Sequence, residues 1–171
     1  MWNAIVGDSL WVGVILSVLL SILVIASLRW NPEIWVHDYP PEVQAMLPPK
    51  SALAKRQTVW VAVVMFAIVF GSLGLLVWRV IATQGGYPGF WPIAAAMWIA
   101  MQSFNLIDLL IVDWLIVETW RPRFVLVRGA EALYERRFYG FHFRGFLKGF
   151  VGITLASGIL AGLATAVAAL V

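Results

Sequence analysis

Asp108 and Asp113 are two carboxylates inside Trp91 to Val117, an apolar run long enough to cross a bilayer. Gln102 and Asn105 lie in the same run. At the α-helical turn per residue, the four fall within a sector of about 140°. Counted from Trp91, Asp108 sits about 25 Å deep and Asp113 close to the opposite interface. A carboxylate facing lipid costs a few kcal/mol, so this stripe is expected to face other helices or water. Such a stripe could carry protons or cations, or poise a carboxylate pair over a lipid headgroup. A structural role is the alternative: Arg29, Lys55 and Arg56 share the side of the two aspartates and could neutralise them. Gln102 and Asn105 would then bond across helices. Five residues apart, the aspartates diverge by about 140° on an α-helix, a poor spacing for two ligands on one metal.

The two histidines offer other chemistry. His37 is followed by Asp38 and lies near Glu42, and His142 stands at the mouth of the last apolar run. Two histidines and a carboxylate have the donors for a metal or haem, but no cofactor and no metal is expected. Single loop histidines also serve as plain interfacial polar groups. Asn-x-x-Asp at 105–108 resembles polar motifs of intramembrane prenyl- and phosphotransferases, without their repeated aspartate clusters. Neither Ser51 nor Ser103 lies in a nucleophile-elbow context, and Gly85-Gly86 reads as a turn rather than a phosphate loop. With no cysteine in the chain, disulfides, thiolate nucleophiles and Cys-ligated metals are excluded.

The elements that must position these groups are transmembrane helices. Of 171 residues 62% are hydrophobic and 12% charged, against about a quarter charged in a soluble domain. A soluble enzyme domain, a disordered regulator and a nucleic-acid binder all fit poorly. Four apolar runs stand out, at 9–28, 57–81, 91–117 and 146–171, within one membrane domain spanning 1–171. None alternates with period 2, and only a helix satisfies its own backbone in lipid. The reading is an all-α integral membrane protein with four transmembrane helices.

Charge sets the expected orientation. Residues 1–8 hold no Lys or Arg, which argues for a retained anchor rather than a signal peptide. Ten of the 12 basic residues fall in segments 29–56 and 118–145, which the positive-inside rule places in the cytoplasm. N-out and C-out follow, in a bacterial inner membrane. Arg79 is expected to snorkel at the outer end of helix 2, and Lys148 lies just inside helix 4.

The two cytoplasmic loops begin alike, Trp30-Asn31-Pro32 and Trp120-Arg121-Pro122. An internal duplication or independent use of Trp anchors and Pro stops would produce this. Val43, Met46 and Leu47 share one face of a short interfacial helix after Pro40-Pro41. A second helix is expected over 130–139, followed by an aromatic and basic hem from Phe138 to Lys148 suited to anionic headgroups. Gly145-x-x-x-Gly149 and Gly158-x-x-x-Gly162 are small-residue patterns for close helix packing, within the chain or in a homo-oligomer. The expected function is a non-enzymatic scaffold, accessory subunit of a membrane complex or lipid-binding module, with membrane lipids and anionic headgroups as partners and no nucleic acid. The alternatives are a proton- or cation-coupled transporter or channel subunit using the Asn/Asp stripe, and a membrane enzyme acting on a lipid or quinone at the cytoplasmic face.

Overall fold

A computed structural model describes residues 1–126, 129–133 and 135–170, with the side chain of Glu131 left aside. The chain is helical, with no strand among the described residues. Four helices are long and apolar enough to cross a membrane: α1 (Trp2–Trp30), α3 (Ala52–Gln84), α4 (Phe90–Trp120) and α5 (Tyr139–Ala168). A single short turn, α2 (Pro41–Gln44), lies between α1 and α3. All four long helices extend beyond the apolar runs at one or both ends, because capping and amphipathic residues continue the hydrogen bonding past the greasy stretch. Val171, the last residue of the expected fourth span, lies outside the described residues.

Local chemistry explains the boundaries. The Ser51 hydroxyl accepts from the Ala54 amide (3.1 Å) and caps the start of α3. That helix stops where Gly85 turns left-handed (φ 73°) and bonds back to the Ile81 carbonyl. Asn31 ends α1 in an extended conformation, and its side chain accepts from the Glu33 amide (3.1 Å) to start a 3₁₀ segment, Pro32–Asp38. Arg121 ends α4 quite differently, left-handed at φ 51°. The two Trp-x-Pro exits therefore share residue types and not geometry.

The helices pack as a row rather than a closed square. α1 lies against both α3 and α4, and α5 packs along the far side of α4. In their most apolar stretches a third of α1 is buried and only 11% of α5, so α1 is central and α5 peripheral. Ile5, Val12, Leu76, Val80, Ile93 and Ala100 form a dry core toward the end that carries the 85–89 turn. A smaller core of Val24, Leu28, Val112 and Val125 closes the opposite, loop end. The outward faces of α3 and α5 expose large apolar side chains such as Phe66, Trp78, Leu155 and Ile159, a surface matched to lipid.

Two close approaches fix the row. A Cβ on Gly13 would lie 3.1 Å from the Ala100 backbone, so α1 and α4 meet at this glycine. A Cβ on Gly149 would lie 2.7 Å from Asn105 Oδ1, which brings α5 onto α4. Gly145, Gly158 and Gly162 have open space where a Cβ would stand. Of the four glycines in the two expected packing patterns, one packs tightly within the chain.

Asp8 and Arg79 tie α1 to α3. Arg79 donates to Asp8 Oδ1 through Nε (3.0 Å) and Nη2 (2.6 Å), with its guanidinium 4.9 Å from the Trp11 ring centroid. A buried carboxylate one helix away holds the guanidinium, while the Arg79 side chain stays 37% exposed.

The loop segments carry only short helical turns over the loop end of the bundle. α2 is one turn: Val43 is buried, whereas Met46 points outward and is 43% exposed. The expected helix over 130–139 reduces to a 3₁₀ turn, Glu131–Leu133; Tyr134 falls outside the described residues. The Tyr39 hydroxyl donates to the Val125 carbonyl (2.8 Å) and clasps one segment to the other.

Candidate functional site, an acid-lined chamber at the loop end

The last 13 residues of α4, Asp108–Trp120, are wound as a π-helix, with hydrogen bonds spanning five residues. The Arg121 amide reaching the Ile116 carbonyl (2.9 Å) and the Thr119 hydroxyl reaching the Trp114 carbonyl (2.6 Å) keep this five-residue step. Such winding occurs mostly as single-turn bulges, frequently at functional sites. It also changes which residues share a face. Asp108, Asp113 and Glu118 are five apart in sequence, and all three turn toward the gap between α1, α5 and the loop segments. The divergence expected between Asp108 and Asp113 assumed α-helical winding and does not apply here.

Glu118 is the residue that sequence reasoning missed. Helix counting ended the third span at Val117, so Glu118 counted as loop; yet it is 2% exposed. Its carboxylate accepts from Arg121 Nη2 (2.9 Å), the Phe138 amide (2.9 Å) and His142 Nε2 (3.1 Å). Arg121 also donates to the Arg136 carbonyl. The opposite ring nitrogen of His142, Nδ1, lies 3.2 Å from Asp113 Oδ1. A ring placed between two carboxylates donates to both only as imidazolium. The five-residue spacing of 108, 113 and 118 was the available signal.

The upper members of the stripe play a different part. Asn105 Nδ2 donates to the Phe146 carbonyl (3.2 Å) and to Gln102 Oε1 (3.2 Å), while Gln102 Nε2 donates to the Phe150 carbonyl (3.0 Å). Both amides staple α4 to the backbone of α5, the cross-helix use expected of such residues.

Two adjoining cavities open around this acid–His–acid line. The larger, about 300 Å³, is walled by Asn105, Asp108, Asp113 and His142 from α4 and α5, with His37 and Asp38 from the segment after α1. The smaller, about 110 Å³, lies beyond Asp113 and His142; Glu118 and Arg121 face it among Val24, Leu28, Trp35 and Phe138. Trp35 is held there by its indole N–H on Ser27 Oγ (2.9 Å). Asp38 borders both cavities. Asp38 keeps an exposed face, yet the protein around it strips part of its hydration, and that desolvation raises its pKa above its ordinary value. Nearby Asp113 pushes the same way, against the pull of Lys50 and His37. Lys50 in turn is lowered by its own burial, against Asp38 and Glu33; its Nζ donates to the Ile34 carbonyl (2.5 Å).

The expected charge partners are elsewhere. Arg29, Lys55 and Arg56 are exposed, and among the described residues none forms an ion pair with Asp108 or Asp113. Asp113 instead takes the nearer, buried His142. Glu42 is exposed on α2 and lines neither cavity. His37 and His142 do border one cavity, yet the described residues include no group of three or more His, Asp or Glu arranged to hold a metal ion. Compared with protein-family models, curated proteins and solved structures, the chain matches none.

Proposed function

We propose that this chain is a small, non-enzymatic integral membrane module that binds an amphiphile in its loop-end chamber. The observation that carries the reading is the chamber's make-up: carboxylates of Asp38, Asp108, Asp113 and Glu118 facing a space otherwise walled by Val24, Leu28, Val112 and aromatic rings. Apolar walls with few convergent polar groups are the usual composition of a ligand site. Four carboxylates against Arg121 and two histidines favour a headgroup that donates hydrogen bonds or carries positive charge.

The membrane is taken to be a bacterial inner membrane, with both termini outside and the chamber at the cytoplasmic face. The basic residues of 29–56 and 118–145 support this orientation. Proton or cation transport draws less support, because the polar lining stops at Asn105 and the outer half is packed with Ile5, Leu76, Val80 and Ile93. An enzyme acting on a lipid or quinone would use the same chamber, where His37, Asp38, Asp108 and His142 come together.

Native mass spectrometry on gently extracted protein tests the reading. The wild type is expected to retain an amphiphile, and Gly145→Leu is expected to lose it. Gly145 borders the larger cavity and has open space at its Cβ position, so leucine there fills the chamber without removing a polar group. Wild type that carries no amphiphile, or a Gly145→Leu variant that retains it equally, overturns the proposal. Turnover of the bound molecule by the wild type would replace the non-enzymatic reading with the enzymatic one.

A further inference from the structure

A second recess of about 350 Å³ lies on the other side of Leu28 and Leu126, the two wall residues it shares with the smaller chamber cavity. Its floor is apolar: Leu28 and Val36 are 4% and 8% exposed, with Phe124 beside them. Its sides are Asn31 to Glu33 and Leu47-Pro48, and two arginines, Arg29 and Arg123, stand at it from different loops.

The other polar groups of the recess are already engaged. Asn31 Nδ2 donates to Gln57 Oε1 (2.6 Å), and Asn31 Oδ1 accepts from the Glu33 amide. The Glu33 carboxylate turns to Ser51, whose hydroxyl donates to it (2.6 Å). Arg29 and Arg123 are exposed, and among the described residues neither makes an ion pair. Two guanidinium groups over an apolar floor match an acceptor with several oxygens attached to a hydrocarbon body.

The depth of the recess points to the source of that acceptor. Arg29 is the penultimate residue of α1, and Trp30 beside it is 63% exposed. Trp120 closes α4 at the same end of the bundle, 69% exposed. Exposed tryptophans at the ends of spanning helices sit at headgroup level. The recess therefore opens where lipid phosphates lie, with the flank of α1 leading from it into the acyl region.

We propose that the Arg29–Arg123 recess binds the phosphate of an anionic phospholipid, with the acyl chains running down the outside of the bundle. This rests on the four helices spanning a bilayer and is separate from the chamber reading, which concerns the opposite charge and a different cavity.

The test is a native mass-spectrometric titration of the full chain in detergent. Phosphatidylglycerol is compared with phosphatidylcholine of identical chains, and inorganic phosphate is run as a third probe. Wild type is expected to prefer phosphatidylglycerol. Arg29→Gln/Arg123→Gln is expected to lower that affinity on the order of thirtyfold and to weaken phosphatidylcholine, whose phosphate is offset by its choline, by less, so that the preference shrinks. The exposure of both arginines makes the variant tolerable to the fold, and single Arg123→Glu gives the same reading with one change. Undiminished phosphatidylglycerol binding in these variants overturns the proposal. So does inorganic phosphate binding as tightly as the lipid, which would make the source free phosphate. Loss of phosphatidylglycerol preference in Gly145→Leu would put the lipid in the chamber and overturn it as well, whereas an intact preference there supports two separate sites.

Discussion

His142 carries the most consequential pairing in the chain. It is 7% exposed and stands between Asp113 and Glu118, the latter buried at 2%. Removing His142 leaves Asp113 without its partner, while Glu118 keeps Arg121 and the Phe138 amide. The cost is up to the roughly 3–5 kcal/mol of a broken buried pair. His142→Ala is therefore expected to lower thermal stability strongly, followed by tryptophan fluorescence in detergent. Glu118→Gln is expected to cost less, since an amide oxygen still accepts from Arg121 and the Phe138 amide. Equal, small effects of both would show the cluster to be solvated and structurally idle. Sequence reasoning joined Asp108 and Asp113 in one stripe and flagged His142, because residue type and hydropathy mark a polar group in or beside a greasy run. It did not set His142 against Asp113. It paired the aspartates with Arg29, Lys55 and Arg56, since sequence shows which side a cation is on and not what stands nearer in space. Glu118 escaped because helix length was judged by hydropathy, and hydropathy ends before the hydrogen bonding does.

The helices differ in how closely they approach, and glycine reports where. Ala at position 13 would press on the Ala100 backbone, so Gly13→Ala is expected to cost about 1–3 kcal/mol. Gly149→Ala presses on Asn105, whose bonds to Gln102 and the Phe146 carbonyl must then give way, and a similar cost is expected. Gly158→Ala and Gly162→Ala have open space within the chain and should leave the monomer's melting unchanged. Thermal melts of the four variants check this ranking; a loss confined to positions 158 and 162 would place the tight seam between copies instead. The existence of all four long helices was legible from the runs of apolar residues alone. Which glycine packs was not, because a small-xxx-small pattern has no way to say whether a neighbour fills the space it leaves. The short loop helices were over-read for a related reason: Val43, Met46 and Leu47 have helical spacing, but folding over the chamber buries one and exposes another.

At the scale of the molecule, the row of helices leaves one end dry and the other recessed. The chamber and the Arg29–Arg123 recess both belong to the loop end, while the opposite end holds the apolar core and the Asp8–Arg79 pair. The proposed orientation puts both recesses in the cytoplasmic leaflet. Because the chain has no cysteine, single substitutions report topology without background. Cysteines placed at exposed Glu42 and at exposed Gly86 are expected to label from opposite sides of an intact membrane, Gly86 from outside. Labelling of Glu42→Cys from outside would invert the molecule and move the chamber to the other leaflet.

The winding of Asp108–Trp120 gives these recesses a sensitivity that composition does not record. Rewound as an ordinary helix, the same thirteen residues would be as long in sequence, as greasy and as charged. Yet Asp108, Asp113 and Glu118 would fan around the axis like spokes, and some would meet hydrocarbon. The acidic lining is thus a property of phase, as in a combination lock whose rings carry the right digits but open at one setting only. Two chains with matching hydropathy profiles could share every span and differ in whether they have a chamber at all.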